Sequence, residues 1–225
     1  MAFMIITVKG TFTLSLPAER GTVRLTSGAE GDDRAVVTRA ATGTTEELRY
    51  QLVDLEESGA ATWYSVGAQT TQAWRPYNSE GIVMPIRYRT SSAIEVKFAD
   101  FSALSRWGTR WAETRGLSVD EVEWTLTEKT RDRVADEVLT GAVRDATHRA
   151  EVLAKAAGQQ TPRALAVADP GLLNDVSAVA PGGDLEPAGY RARAMAATGA
   201  PGGESVKLSP ADIAVSATVH ARFQV

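Results

Sequence analysis

Ile6-Thr7-Val8-Lys9-Gly10-Thr11-Phe12-Thr13-Leu14-Ser15-Leu16 alternates along its whole length. Ile6, Val8, Phe12, Leu14 and Leu16 form one row, with Gly10 among them. Thr7, Lys9, Thr11, Thr13 and Ser15 form the other. Side chains of an extended chain point to opposite faces in turn, so this pattern predicts a strand with one face buried and one wet. Pro17 stops it. Val23 and Leu25, set between Thr22, Arg24 and Thr26, resume the alternation as a second strand. The link Pro17-Ala18-Glu19-Arg20-Gly21 is short enough for an antiparallel hairpin between the two.

Outward from this stretch the pattern changes period. After the break at Gly28 to Gly31, Asp32 or Asp33 caps a helix running from Arg34 to about Glu57, with Leu48, Leu52 and Leu55 on one side. Gly43 is expected to interrupt or kink it, and Gly59 to stop it. Trp63, Tyr64, Val66 and Trp74 lie among threonines and glutamines, which predicts a strand over residues 61–76. Asn78-Ser79-Glu80-Gly81 is turn chemistry. A strand over residues 82–98 follows, with Pro85 confined to an edge or a bulge. Asp100 or Ser102 opens a second helix whose Leu104, Trp107 and Trp111 share a face, read as core. Gly116 ends it, and Val122, Trp124 and Leu126 mark another strand.

The third helix is expected between a Thr130 cap and Gly158. Its apolar stripe reads Ala135, Val138, Ala142, Ala146, Ala150, Leu153 and Ala157, small enough for close approach of a partner surface. A strand at residues 163–168 precedes a stretch, 169–207, rich in glycine and proline, which reads as an insertion. Ile213, Val215, Ala217 and Val219 open a terminal strand that runs to Phe223 and Val225. The element order is β-β-α-β-β-α-β-α-β-β. It predicts an α+β fold with one antiparallel sheet and helices packed on one face, as a single domain over residues 1–225.

Composition narrows the function. The 225 residues include no cysteine, so disulfides and thiolate metal sites are excluded. The net charge of −4, with 24 basic and 28 acidic residues interspersed, does not give the basic footprint of a nucleic-acid binder. The apolar start has no basic residue before Lys9, and no uninterrupted apolar run approaches a membrane span, so a cytoplasmic protein without membrane insertion is expected, with a periplasmic or secreted one as the alternative if a signal has been trimmed. His148 and His220 are the only histidines. His148 falls on the polar stripe of its helix and reads as solvated; His220 reads as an ordinary strand residue, with a subunit contact as the alternative if that strand is an edge. The carboxylate runs Asp32-Asp33, Glu46-Glu47, Glu56-Glu57 and Asp120-Glu121-Glu123 sit at helix ends and strand starts, where charge is normally solvated. No phosphate loop, dinucleotide fingerprint, serine elbow or zinc-helix motif occurs. No catalytic, cofactor-binding or metal-binding residue is therefore assigned, and no cofactor is expected. Trp63, Trp74 and Tyr190 are the candidate interface residues, because exposed aromatics anchor protein contacts.

Five segments in order resemble the SIMPL-domain family, which includes the YggE-like bacterial proteins. They are Ile6-Thr7-Val8-Lys9-Gly10; Ile94-Glu95-Val96-Lys97-Phe98-Ala99-Asp100-Phe101; Val122-Glu123-Trp124-Thr125-Leu126-Thr127-Glu128; the helix through Ala142-Val143-Arg144-Asp145-Ala146, Arg149-Ala150-Glu151 and Ala157-Gly158; and Ile213-Ala214-Val215-Ser216-Ala217-Thr218-Val219. The resemblance implies an α+β fold, a tendency to form ring or channel-like oligomers, and no catalytic residues to carry over. The expected role is a non-enzymatic homo-oligomeric structural or interaction protein. A binding module for a partner protein or small ligand, acting through residues 169–207, is the first alternative, and an enzyme of unknown chemistry the second.

Overall fold

A computed structural model describes residues 4–112, 114–173, 193–194 and 210–225. The strands are β1 (Ile5–Leu16), β2 (Arg20–Gly31), β3 (Ala61–Val66), β4 (Thr70–Trp74), β5 (Arg87–Phe98), β6 (Leu117–Thr125), β7 (Arg163–Ala168), β8 (Arg193–Ala194) and β9 (Ile213–Gln224). The helices are α1 (Arg34–Glu57), α2 (Phe101–Ala112) and α3 (Glu128–Ala156). The α+β class and the antiparallel pairing are as expected. The strands divide, however, between two sheets rather than joining in one. Two compact units result, one holding β1, α3 and β7 to β9, the other β2 to β6 with α1 and α2.

In the first unit the order is β1-β9-β7, with β8 also against β9. The expected β1–β2 hairpin does not form. β1 pairs instead with the C-terminal strand, from Ile5 opposite Gln224 to Leu16 opposite Ile213. β9 is thus central, not an edge, and His220 lies within the sheet. The inner row Ile6, Val8, Val219, Ala221 and Phe223 packs against α3. The buried face of α3 is Val134, Val138, Ala142, Ala146, Ala150 and Ala154. Every step is four residues, the ridge that inclines across a helix and so follows a twisted sheet. This corrects the expected stripe, since Leu153 is half exposed. The cap is also shifted: Thr127, not Thr130, is the N-cap, and Gly158 closes the helix at φ +69°.

Gly10 sets the closeness of this packing. A Cβ there would lie 2.6 Å from the Ala146 nitrogen and 2.7 Å from the Ala146 Cβ. Alanines on α3 and glycine on β1 therefore let the backbones approach where larger side chains could not.

In the second unit the order is β3-β5-β2-β6, with β4 extending the β3 side. The expected strand over residues 61–76 is split into β3 and β4, both paired with β5. The Gly67 N–H donates to the Ala93 carbonyl at the break, 2.8 Å away. Val23, Leu25, Ile94, Val96 and Phe98 face Leu48 and Leu52 of α1 and Leu104, Trp107 and Trp111 of α2. Trp111 Nε1 donates to Gln51 Oε1 at 3.0 Å, tying the two helices together. Asp33 caps α1 and Asp100 caps α2, each accepting from two backbone N–H groups. Gly43 lies inside an uninterrupted α1, against expectation, because surrounding residues carry the helix through it. Replacing Asp100 by alanine should lower stability by about 1 kcal/mol, read from the urea midpoint, because the two N–H groups lose their acceptor.

Beyond Leu25 and Ile94 the inner face turns from hydrocarbon to hydroxyl. Ser27 Oγ and Thr45 Oγ1 are 3.0 Å apart, and Thr71 Oγ1 and Thr90 Oγ1 2.9 Å. Ser27 and Thr90 are fully buried, so these mutual bonds replace those lost to water.

Candidate interaction surfaces

The face of the second sheet opposite α1 and α2 is polar and organised by strand pairing. Arg24 on β2 reaches carboxylates on both neighbours: Glu95 at 2.8 Å, Glu121 at 2.8 Å and Glu123 at 3.0 Å. Glu121 is the direct partner of Arg24 in the β2–β6 register, which shifts only beyond this pair. The hydrogen bond to Glu95 first, and then that to Glu121, hold the Arg24 pKa above its ordinary value. Three carboxylates around one cation leave this patch acidic. Among the described residues no carboxylate or histidine group is placed to hold a metal ion. His148 is exposed on α3.

Trp63 and Trp74 lie on this same face. Trp63 pairs with Lys97 across β3–β5, and the Lys97 ammonium sits 5.8 Å from its ring centre. Trp74 sits beneath the Arg89 guanidinium at 5.5 Å. A cation over an indole face is attracted by the ring quadrupole. Trp63 remains 43% exposed. Tyr190 lies outside the described residues, as does nearly all of the glycine- and proline-rich stretch 169–207.

The second surface is the outer edge of β1. Met4 and Val225 exchange both backbone bonds, at 3.2 and 3.0 Å. Antiparallel alternation then directs the even-numbered residues of β1 to β9 and the odd-numbered ones away from it. Ile5, Thr7, Lys9, Thr11, Thr13 and Ser15 thus turn their backbone groups to the open side. One N–H there is satisfied from α3: Thr11 donates to Asp145 Oδ2 at 2.8 Å.

The third surface is an arm, residues 75–86, between β4 and β5. The Met84 N–H donates to the Pro76 carbonyl at 2.8 Å and the Asn78 N–H to the Ile82 carbonyl at 3.0 Å, flanking a bridge between Tyr77 and Val83. The Asn78 side chain accepts from Glu80 and Ile82 and fixes the tip. Tyr77, Ile82, Val83, Met84 and Ile86 are all exposed. This corrects the expected strand from residue 82, which begins at Arg87. Its signal was visible in the turn residues and in Pro85, which keeps residues 82–86 out of the regular ladder.

Two antiparallel sheets, one packed by α3 and the other by α1 and α2, define an α+β protein. The chain belongs to the SIMPL family, described as a protein of unknown function (DUF541), whose model matches residues 6–223. No curated protein matches the sequence. Among the described residues no helix is long and apolar enough to cross a membrane.

Proposed function

We propose that this chain is a non-enzymatic structural protein that assembles with copies of itself, and that the open edge of β1 is its principal contact. The carrying observation is the row of N–H and C=O groups at Thr7, Lys9 and Thr13 that have no partner among the described residues, on a strand of 12 residues. Such an edge is a template for another strand, and proteins that avoid pairing shorten, bulge or cover it. Here Lys9 and the Asp145 bond at Thr11 restrain the edge without closing it. Trp63 and Trp74 supply a further contact face, where a rigid aromatic under a cation offers apolar area and a polar rim together.

The test uses proline, which lacks the N–H. Thr7→Pro removes a donor only from the open side and leaves every β1–β9 bond intact. Light scattering at micromolar concentration should show the wild-type chain as an oligomer and Thr7→Pro as a smaller species with unchanged circular dichroism. A monomeric wild-type chain, or a Thr7→Pro protein of undiminished size, defeats the reading.

A further inference from the structure

The arm at residues 75–86 is held by its own backbone bonds, and among the described residues nothing covers Tyr77, Ile82, Val83, Met84 or Ile86. Neighbouring residues of an extended chain point to opposite sides. Tyr77 and Val83, bridged to each other, therefore occupy one side and Ile82 and Met84 the other. An arm apolar on both sides is suited to being enclosed. Lipid is a poor enclosure, because the tip that would enter first is Asn78-Ser79-Glu80-Gly81, polar and carrying a carboxylate.

The backbone points to another occupant. The bonds on either side of the Tyr77–Val83 bridge leave the N–H and C=O of Val83 directed away from Tyr77, and neither has a partner among the described residues. We propose that residues 82–84 pair antiparallel with the same residues of a second copy, about a two-fold axis at Val83. The two Val83 residues then exchange both backbone bonds, and Ile82 of each molecule lies opposite Met84 of the other. Such a contact is isologous, the same surface serving both partners. Pro85 lies on the same open edge without an N–H, which confines the pairing to the neighbourhood of the axis and prevents its extension along the sheet. The proposal deepens the self-association reading above, but rests on a different element of the chain.

Because the chain has no cysteine, a single introduced thiol reports on this geometry. Residues opposed as a hydrogen-bonded pair have Cα atoms about 5.5 Å apart, within the ~4.4–6.8 Å that a disulfide spans. Two Ile86 residues, each three positions from the axis, would stand about 20 Å apart. On mild oxidation of the full chain, Val83→Cys should form a covalent dimer at least about tenfold faster than Ile86→Cys, since prior pairing raises the local thiol concentration. Val83→Pro should lower the assembly size while circular dichroism stays unchanged. Equal cross-linking of the two cysteine variants overturns the proposal. So does a monomeric chain that co-sediments with phosphatidylcholine–phosphatidylglycerol vesicles and loses that property in Val83→Pro. If Thr7→Pro dissolves the oligomer but Val83→Cys shows no preference, this contact alone falls; a monomeric wild type removes both.

Discussion

Gly10→Ala should destabilise the protein by about 3 kcal/mol, at the upper end of what overpacking costs, although it adds a single methyl group. The new Cβ would meet the Ala142 carbonyl oxygen and, at 2.6 Å, the Ala146 nitrogen. Both are backbone atoms inside a helical turn, so no rotamer change relieves the clash. The helix must lift from β1, and the inner row Ile6, Val8, Val219 and Phe223 then loses contact along with it. Gly43→Ala provides the opposite result. A Cβ there meets nothing within 4 Å, and the site is inside α1. Alanine at such a position should raise stability by about 0.5–1 kcal/mol, because glycine loses more backbone entropy on folding. Urea midpoints of the two variants should therefore move in opposite directions. A neutral Gly10→Ala would mean that α3 does not approach β1 there.

These two glycines also mark what the sequence made legible. Alternation placed β1, β2 and β9, and the row Leu104, Trp107 and Trp111 named its core face, because burial imposes those periods directly. Pairing was not legible. The short link after Pro17 suggested a hairpin, whereas β1 found Ile213 to Gln224 at the far end of the chain; alternation says which face is buried but not against which strand. The stripe on α3 was misplaced because mixed three- and four-residue steps suit a straight partner, and a twisted sheet selects the four-residue ridge alone. Thr90 and Ser92 sit on the inner row with Ile94, a burial that hydroxyl residues do not announce. Of the interaction surfaces, Trp63 and Trp74 were visible as residues. Their common face was not, since it depends on β3 and β4 each pairing with β5 across the Gly67 break, which brings Lys97 and Arg89 over the rings. The turn residues and Pro85 marked the arm's tip and its irregular strand, but its apolar residues continue the pattern of the strand that follows and so read as part of it.

Phe98→Ala should cost about 4 kcal/mol, within the ~3–5 kcal/mol typical of emptying a large aromatic from a packed core. Phe98 is fully buried at the end of β5, opposite Gly21 on β2 and Ala61 on β3. Its ring centre is 5.4 Å from that of Trp107, tilted by 49°. Leu48, Leu52 and Leu104 complete the enclosure from both helices. Truncation thus opens a void between a sheet and two helices that are themselves joined by the Trp111–Gln51 bond, which limits their ability to collapse into it. Phe98→Leu keeps most of the hydrocarbon and should cost only about 1 kcal/mol. Against the ~5–15 kcal/mol that stabilises a typical domain, the alanine variant alone removes a substantial share. The measurement is the urea midpoint followed by tryptophan fluorescence, with the slope unchanged if the unfolded state is unaffected. Trp107, beside Phe98, is one of the five tryptophans that contribute to that signal. Equal midpoints for the alanine and leucine variants would contradict a rigid enclosure here.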